Sequence, residues 1–201
     1  SKGRLMPGAF AAENFRNLVA QQPLARAMTN SFVYAISVTI ICLFICSLAG
    51  YGFEVYHDKW KDKLFSILLL AMMVPQVATM IPLFQMFSKA KLLNTTIGFF
   101  LPMISTPFMI MMFRQNARAF PIDIIEAARI DGLNEIQIFF RMFFPTMRST
   151  YAAAAVITFM NSWNAYLWPK VIMTDGKSLN TVMLIANTIG GYKIDYGMIM
   201  M

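Results

Sequence analysis

Four long stretches of this sequence contain no charged side chain, and this pattern constrains the fold more than any other feature. A helix needs about 20 predominantly apolar residues to cross a bilayer. Only 13% of the residues are charged and the mean hydropathy is +0.56, whereas a soluble domain has about 25% charged residues. The sequence therefore predicts an all-α, polytopic transmembrane helical bundle with spans at residues 31–53, 64–88, 92–113 and 149–169.

Prolines interrupt two of these runs. Pro75 and Pro82 lie in the second run, and the third has Pro102 and Pro107. Proline removes backbone hydrogen bonds and kinks a helix, which lipid tolerates only where neighbours or water satisfy the freed carbonyl groups. Gln76 places a polar group beside the first break. Such a group either lines a substrate path or makes a helix-to-helix hydrogen bond, and the sequence favours neither.

The second half of the fourth run is rich in amides and aromatic rings. Aromatic faces cover apolar sugar faces and amides bond hydroxyl groups, so the segment fits sugar recognition. Tryptophan and tyrosine also collect at membrane interfaces, and this belt is the favoured interpretation. The residues that could line a substrate path here are Asn161, Trp163, Asn164 and Tyr166.

Residues 117–148, between the third and fourth runs, have the pattern of two short helices joined by a hinge. Pro121 suits the first position of a helix, where its missing N–H costs nothing. Asp123 places negative charge near the positive end of that helix. Gly132 stands where a helix can end on a left-handed residue, which glycine adopts easily.

The second helix of this loop is predicted to begin at Asn134, which with Gln137 resembles a capping box. Pro145 is predicted to end it. Between them, apolar residues recur at helical spacing and predict one apolar stripe, formed by Ile136, Phe139, Phe140, Phe143 and Phe144.

The sequence has no pattern typical of a catalytic or metal site. It lacks a phosphate-binding glycine loop, an acidic pair within the apolar runs, and a histidine cluster. His57 is the single histidine, and we expect it to be solvated, since metal sites need several ligands. Cys42 and Cys46 lie four residues apart on one helical face, where two isolated cysteines are more often packing residues.

The segments outside the four uncharged runs and the distribution of basic residues give further predictions. The 17 basic residues are scattered, which argues against nucleic-acid binding and favours contact with anionic lipid. Residues 1–30 predict a polar segment with a short amphipathic helix at 11–20. Residues 178–192 are uncharged but too short to span a bilayer, so they predict an amphipathic or re-entrant helix. Residues 196–201 open another apolar run, so the chain is expected to be truncated at both ends.

A family resemblance is carried by residues 117–148. Glu126-Ala127-Ala128, Ile130-Asp131-Gly132 and Phe144-Pro145 resemble the EAA loop of ABC importer permeases. Further stretches are similar to the carbohydrate-uptake branch and most of all to the maltose-permease G-subunit type, namely 30–31, 48–53, 73–75, 81–84, 163–164 and 167–169.

The resemblance implies that residues 1–201 belong to one transmembrane domain of a type I ABC importer permease with six spans. It places the loop 117–148 in the cytoplasm, docked on a separate ATPase. Charge alone gives little information on orientation, because basic residues occur on both sides. Glu126 would pair with a group on the ATPase or cap the loop internally. The implied coupling residues are Glu126, Ala127, Ala128, Arg129, Asp131, Gly132 and Pro145.

The implied partners are a dimer of ABC ATPase subunits, a second homologous permease, an extracytoplasmic solute-binding protein and membrane lipid, but not nucleic acid. ATP and Mg²⁺ belong to the ATPase, so this chain is expected to bind no cofactor and to be no enzyme. The implied location is the bacterial inner membrane, and the substrate a sugar, oligosaccharide or polyol phosphate. The alternatives are an ATP-independent secondary transporter or channel, an intramembrane enzyme, and an interfacial helical hairpin without a partner.

Overall fold

A helix of 32 residues, α1 (Leu24–Val55), organises the described part of this computed structural model, which comprises residues 24–175 and 180–189. At 1.5 Å per residue, α1 is about 48 Å long, and the predicted first span lies wholly within it. The helices that follow are α2 (Lys59–Ala71), α3 (Gln76–Lys89), α4 (Thr96–Phe100), α5 (Pro107–Ala117), α6 (Ile122–Ile130), α7 (Glu135–Ile138), a π-helical turn (Phe139–Phe143), α8 (Phe144–Thr146), α9 (Arg148–Trp163), α10 (Leu167–Ile172) and α11 (Thr181–Ile189).

Three apolar clusters follow one another along α1. Near its start, Tyr34 and Val38 pack with residues of α3, α4 and α10, including Phe87, Phe99 and Trp168. The middle cluster contains Cys42, Cys46, Phe65, Met109 and Phe113. The cluster at the end of α1 joins Tyr51 to the loop 117–148. We call these the near, middle and loop clusters, after their positions along α1.

Helices α5 and α9 pack along α1 on small side chains. A Cβ atom on Gly50 would lie 2.6 Å from Phe113 Cβ and 2.8 Å from Arg114 N, so the α1 and α5 backbones approach closely there. On α9 the buried residues recur every fourth position, which places them on one helical face. They are Thr150, Ala154, Thr158 and Ser162. Small residues at a helix interface allow this close packing.

The predicted second span is a bent pair of helices rather than one helix. Helices α2 and α3 meet at 104° across the break at residues 72–75. Pro75 is the residue that precedes α3. At this position its missing N–H and fixed φ are tolerated. The expected second interruption at Pro82 is wrong, because α3 continues through it.

The other two predicted spans are also divided. Residues 101–106 separate α4 from α5, and α9 ends at Trp163 before the turn that leads to α10. In the described part of the chain, α1 is therefore the one helix long and apolar enough to cross a bilayer, and the bent pair counts as a second if it forms one broken span. The remaining runs stay predicted spans.

The terminal predictions fall largely outside the described residues. The expected helix at 11–20 and the apolar start at 196–201 both lie there. Of the predicted helix at 178–192, the part formed by α11 is described, and Asn180 caps it by accepting a hydrogen bond from Met183 N (2.8 Å). The same side chain donates to Ala165 O (2.8 Å), which ties α11 to the turn after α9.

Candidate functional site

The glycine hinge predicted in the loop is present. Gly132 has a φ of +81°, the left-handed conformation that favours glycine. Its N–H donates to Arg129 O (3.0 Å), and Leu133 N–H donates to Ala128 O (3.0 Å). These two bonds form a Schellman motif, which satisfies the last carbonyl groups of α6 and turns the chain sharply.

The predicted capping box opens the second helix of the loop. Asn134 accepts from Gln137 N (2.9 Å), and the Gln137 side chain accepts from Asn134 N (3.0 Å). At the other end of the loop's first helix, Pro121 is the residue before α6 rather than its first residue. Its ψ of 124° is extended, so the expectation for Pro121 is wrong by one position.

The helical path does not end at Pro145, contrary to expectation. Residues Phe139–Phe143 form a π-helical turn, and Phe144 N–H donates to Phe139 O, five residues back. Proline has no N–H to give to the carbonyl group four residues back and its ring clashes with it. The wider turn makes room for Pro145, which lies within α8. Met147 (φ −89°, ψ 19°) separates α8 from α9.

The π-helical turn also divides the predicted apolar stripe. Phe139 and Phe143 are buried, and so is Ile138, which the stripe did not include. By contrast, Ile136, Phe140 and Phe144 are exposed. An extra residue in the turn rotates the following side chains relative to an α-helix, so a 3.6-residue period could not assign the buried face.

The inner face of the loop packs on the end of α1 through Tyr51. Its ring makes edge contacts with Phe139 (5.4 Å between centroids) and Phe143 (4.9 Å). Tyr51 is 4% exposed, because the loop covers it. The loop residues that complete this cluster are Ala117, Phe120, Ile125, Ala128, Ile138 and Met147.

The outer face of the loop mixes charged, small and apolar side chains. Glu126, Ala127, Asp131 and Gly132 are exposed, and Ile130 is 86% exposed. Glu126 has no hydrogen bond or ion pair with another described residue, so internal capping by its carboxylate is absent there. Ala128, one of the predicted coupling residues, faces the loop cluster instead.

An ion pair bridges the two helices of the loop across the hinge. Arg129 Nε lies 2.8 Å from Glu135 Oε1, and the Arg129 guanidinium lies 5.9 Å from the centre of the Tyr56 ring. The hydrogen bond to Glu135 raises the pKa of Arg129. Arg129, followed by the Tyr56 hydroxyl, lowers the pKa of Glu135. The pair thus holds α6 and α7 together on the side of α1.

A buried charge network behind the loop was missed in the sequence. Arg114 is 4% exposed. Its Nε lies 3.1 Å from Glu54 Oε2 and a terminal nitrogen lies 2.7 Å from Asp62 Oδ1. Arg118 Nε lies 3.4 Å from the same Glu54 oxygen. The sequence showed these charges only at the edges of apolar runs, which does not reveal their long-range pairing.

The candidate substrate-path residues are not joined by any hydrogen bond or ring contact among the described residues. Gln76 is exposed at the bend between α2 and α3. Trp163 packs against Phe32 (4.8 Å) and Phe159 (5.8 Å). Tyr166 accepts from Lys170 Nζ (2.5 Å), and Asn161 and Asn164 are exposed.

The two cysteines and the histidine were expected to be packing or solvated residues rather than metal ligands. The Cys42 and Cys46 sulfur atoms are 3.7 Å apart and pack in the middle cluster. His57 is exposed in the turn between α1 and α2. Among the described residues, no group of three or more histidine, cysteine or acidic side chains has a geometry for a metal ion.

Comparison with known families decides where this helical chain belongs. Residues 43–201 match the model of the binding-protein-dependent transport system inner membrane component. The chain belongs to this family. The match includes the whole loop 117–148, all of α2 to α11 and residues 43–55 of α1.

Several curated members of this family are similar to the chain. The lactose transport system permease protein LacG of Rhizobium radiobacter is 41% identical over 199 residues, which cover 99% of this chain and 73% of LacG. The arabinooligosaccharides transport system permease protein AraQ of Bacillus subtilis (strain 168) is 34% identical, over 85% of this chain and 60% of AraQ. The sn-glycerol-3-phosphate transport system permease protein UgpE of Shigella flexneri is 30% identical, over 85% of this chain and 63% of UgpE.

A solved structure shares the fold. A chain of a bacterial ABC transporter involved in the import of the acidic polysaccharide alginate superposes with a TM-score of 0.87 at 19% identity, over 97% of this chain and 70% of that chain. The described helices therefore share the architecture of that transporter chain. The family is one of inner-membrane transport components, and the similar proteins named above are permeases of lactose, arabinooligosaccharide and sn-glycerol-3-phosphate transport systems.

Proposed function

We propose that this chain is the permease subunit of an ATP-driven importer, that it forms half of the translocation path, and that its loop 117–148 docks on a separate ATPase. The observation that carries the proposal is the two-sided loop. Its inner face is fixed on α1 by Tyr51, Phe139 and Phe143, while Ile130 and Glu126 have no covering partner in the described chain.

The composition of the outer face favours a protein partner over lipid. Charged side chains rarely face lipid, whereas Glu126 and Asp131 are exposed beside Ile130. Mixed polar and apolar surfaces with central apolar residues are typical of protein interfaces. The hinge at Gly132 holds α6 at a fixed angle, as a lever that reports closure of an ATPase requires.

The proposed partners follow from the same role. A second, homologous permease would complete the path, a solute-binding protein would deliver substrate from outside the inner membrane, and the ATPase dimer would bind ATP and Mg²⁺. The four predicted spans would make the subunit multi-pass, on the plan of the maltose-permease G-subunit. This chain needs no cofactor of its own for the role.

The proposed substrate is a sugar, oligosaccharide or polyol phosphate, as the names of the similar permeases suggest. Gln76 is exposed at the bend of the α2–α3 pair, and the amides Asn161 and Asn164 are available to bond hydroxyl groups. Trp163 and Tyr166 supply aromatic faces near them in sequence. These five residues form the proposed path of this subunit.

Replacing Ile130 by serine tests the docking surface. Ile130 makes no buried contact in the chain, so Ile130→Ser should leave the fold intact and reduce the amount of ATPase captured with the tagged permease by roughly tenfold, because an apolar anchor at an interface centre is lost. The measurement is a detergent pull-down of the full-length permease co-expressed with its ATPase and second permease.

The matched control is Ile97→Ser. Ile97 is 61% exposed on α4, which packs in the near cluster, at the opposite end of α1 from the loop. Its substitution should leave capture unchanged. Equal capture by both variants would move the docking surface elsewhere, and a folded wild-type permease that captures no ATPase would favour an ATP-independent transporter or channel.

A further inference from the structure

Four charged side chains form a continuous chain from the start of the loop to the bent α2–α3 pair. Arg118, at the start of the loop, contacts Glu54 on α1 (3.4 Å). The same Glu54 oxygen contacts Arg114 on α5 (3.1 Å), and Arg114 contacts Asp62 on α2 (2.7 Å). Positive and negative charges alternate along the whole series.

Arg114, at the centre of the series, is buried, whereas the two end residues are exposed to solvent. The Arg114 side chain is 5% exposed, and its guanidinium lies 4.2 Å from the centre of the Phe65 ring on α2. A buried charge that loses its partner is strongly disfavoured, so Arg114 holds its carboxylates. Asp62 and Arg118 are about half exposed, and exposed ion pairs are weak enough to form and break.

Glu54 connects the two halves because one oxygen accepts from both arginines. If the loop moves and Arg118 is drawn away, this oxygen accepts from Arg114 alone. The position of the Arg114 guanidinium then changes, and with it the ion pair that Arg114 makes with Asp62. Among the described residues, the Arg114–Asp62 contact is the one ion pair that joins α2 to another helix. Any shift of Arg114 therefore acts on α2 at a defined point near its first turn.

We propose that Arg118, Glu54, Arg114 and Asp62 are positioning residues that transmit movement of the loop 117–148 to the bent α2–α3 pair. This inference rests on the proposed docking of an ATPase on that loop. The pair is suited to receive the movement, since it is bent by 104° at residues 72–75 and carries the proposed path residue Gln76 at the bend.

The test uses the assembled importer with its full-length permeases, ATPase and solute-binding protein in proteoliposomes. The readout is the number of substrate molecules moved per ATP hydrolysed. Asp62→Asn keeps the size of the side chain and removes its charge. It should retain the ATPase and its hydrolysis but lower the transport ratio by roughly fivefold or more, the range of a typical coupling energy. Asp62→Glu, which keeps the charge, should restore most of the ratio.

The matched control is Asp58→Asn. Asp58 caps α2 and pairs with Lys61 but lies outside the series, and asparagine caps helices as well as aspartate does. A ratio for Asp62→Asn equal to that of Asp58→Asn would overturn the proposal. Loss of coupling without rescue by Asp62→Glu would also count against it, since it would indicate a packing role.

A second variant keeps the proposal testable if Asp62→Asn does not fold. Arg118→Gln breaks the first contact of the series at an exposed position, and Arg148→Gln is the control at another exposed arginine. A wild-type ratio for Arg118→Gln would overturn the relay. Failure of the docking proposal itself would be seen earlier, as absence of the ATPase from the purified wild-type complex.

Discussion

Two glycines of α1 stand two positions apart and differ in their surroundings. A Cβ atom on Gly50 would press against the Phe113 side chain and the Arg114 backbone, whereas one on Gly52 would have no atom within 4 Å. Gly50 therefore permits the close approach of α1 and α5, and this approach brings Arg114 towards Glu54. At Gly132, in contrast, the space around the missing Cβ is open, so backbone conformation alone selects glycine.

Replacing each of the two helix glycines by alanine should have opposite effects. Gly50→Ala should lower the free energy of unfolding by about 1–3 kcal/mol, the usual cost of overpacking. Gly52→Ala should raise it by up to about 1 kcal/mol, because alanine loses less backbone entropy in a helix. Thermal unfolding of the purified permease in detergent measures both. A stable Gly50→Ala variant would show that α1 and α5 are not in close contact.

At the scale of elements, the sequence predicted the features of the loop that depend on neighbouring residues but not those that depend on distant contacts. The hinge at Gly132 and the capping box at Asn134 depend on residues that are close in sequence, so the pattern was sufficient for both. The π-helical turn depends on Pro145 together with the packing of Phe139 and Phe143 on Tyr51, which is 88 positions earlier in the chain than Phe139. Sequence period alone could not show that contact.

The ion pair across the hinge predicts a pH dependence of the loop. The folded-state pKa of Glu135 is lowered, so its stabilising contribution is present above its ordinary pKa of about 4.3 and is lost as the pH falls through the folded value. Glu135→Gln removes the contribution at every pH. Hydrogen exchange of the amides in α6 and α7 should therefore be faster in the variant at pH 7, and the difference should disappear at low pH.

A control variant distinguishes this effect from general acid unfolding. Asp123→Asn changes an exposed carboxylate of the same loop that lies outside the pair. Its exchange should follow the wild type across the pH range, apart from a small effect on the start of α6. A difference between wild type and Glu135→Gln that persists at low pH would contradict the assigned role of the pair.

At the scale of the whole molecule, the loop, the charge network and the near cluster of the described chain lie at different positions along α1. The loop packs at its end, the charge network lies just behind the loop, and the near cluster lies at its start. The α2–α3 pair connects these levels, since Asp62 contacts Arg114 and Phe87 belongs to the near cluster. This arrangement is suited to conveying movement from the loop towards the proposed path.

The uncharged runs predicted the helical class and the position of α1 correctly. They could not show that α2 and α3 meet at 104° or that α9 stops at Trp163, because composition does not encode the angle at a break. The pairing of Arg114 with Glu54 and Asp62 joins residues 60 and 52 positions apart. Such contacts follow from how the helices pack, which a single sequence does not specify.

The most direct test of the account is photo-cross-linking from the loop to the ATPase. A photoreactive amino acid is placed at Ala127, which is exposed beside Glu126, and at Ile97 as the control, in the full-length permease of a transport-competent complex. The account predicts an adduct with the ATPase from position 127 and none from position 97. A complex that still transports but gives no ATPase adduct from position 127 would contradict docking through the loop 117–148.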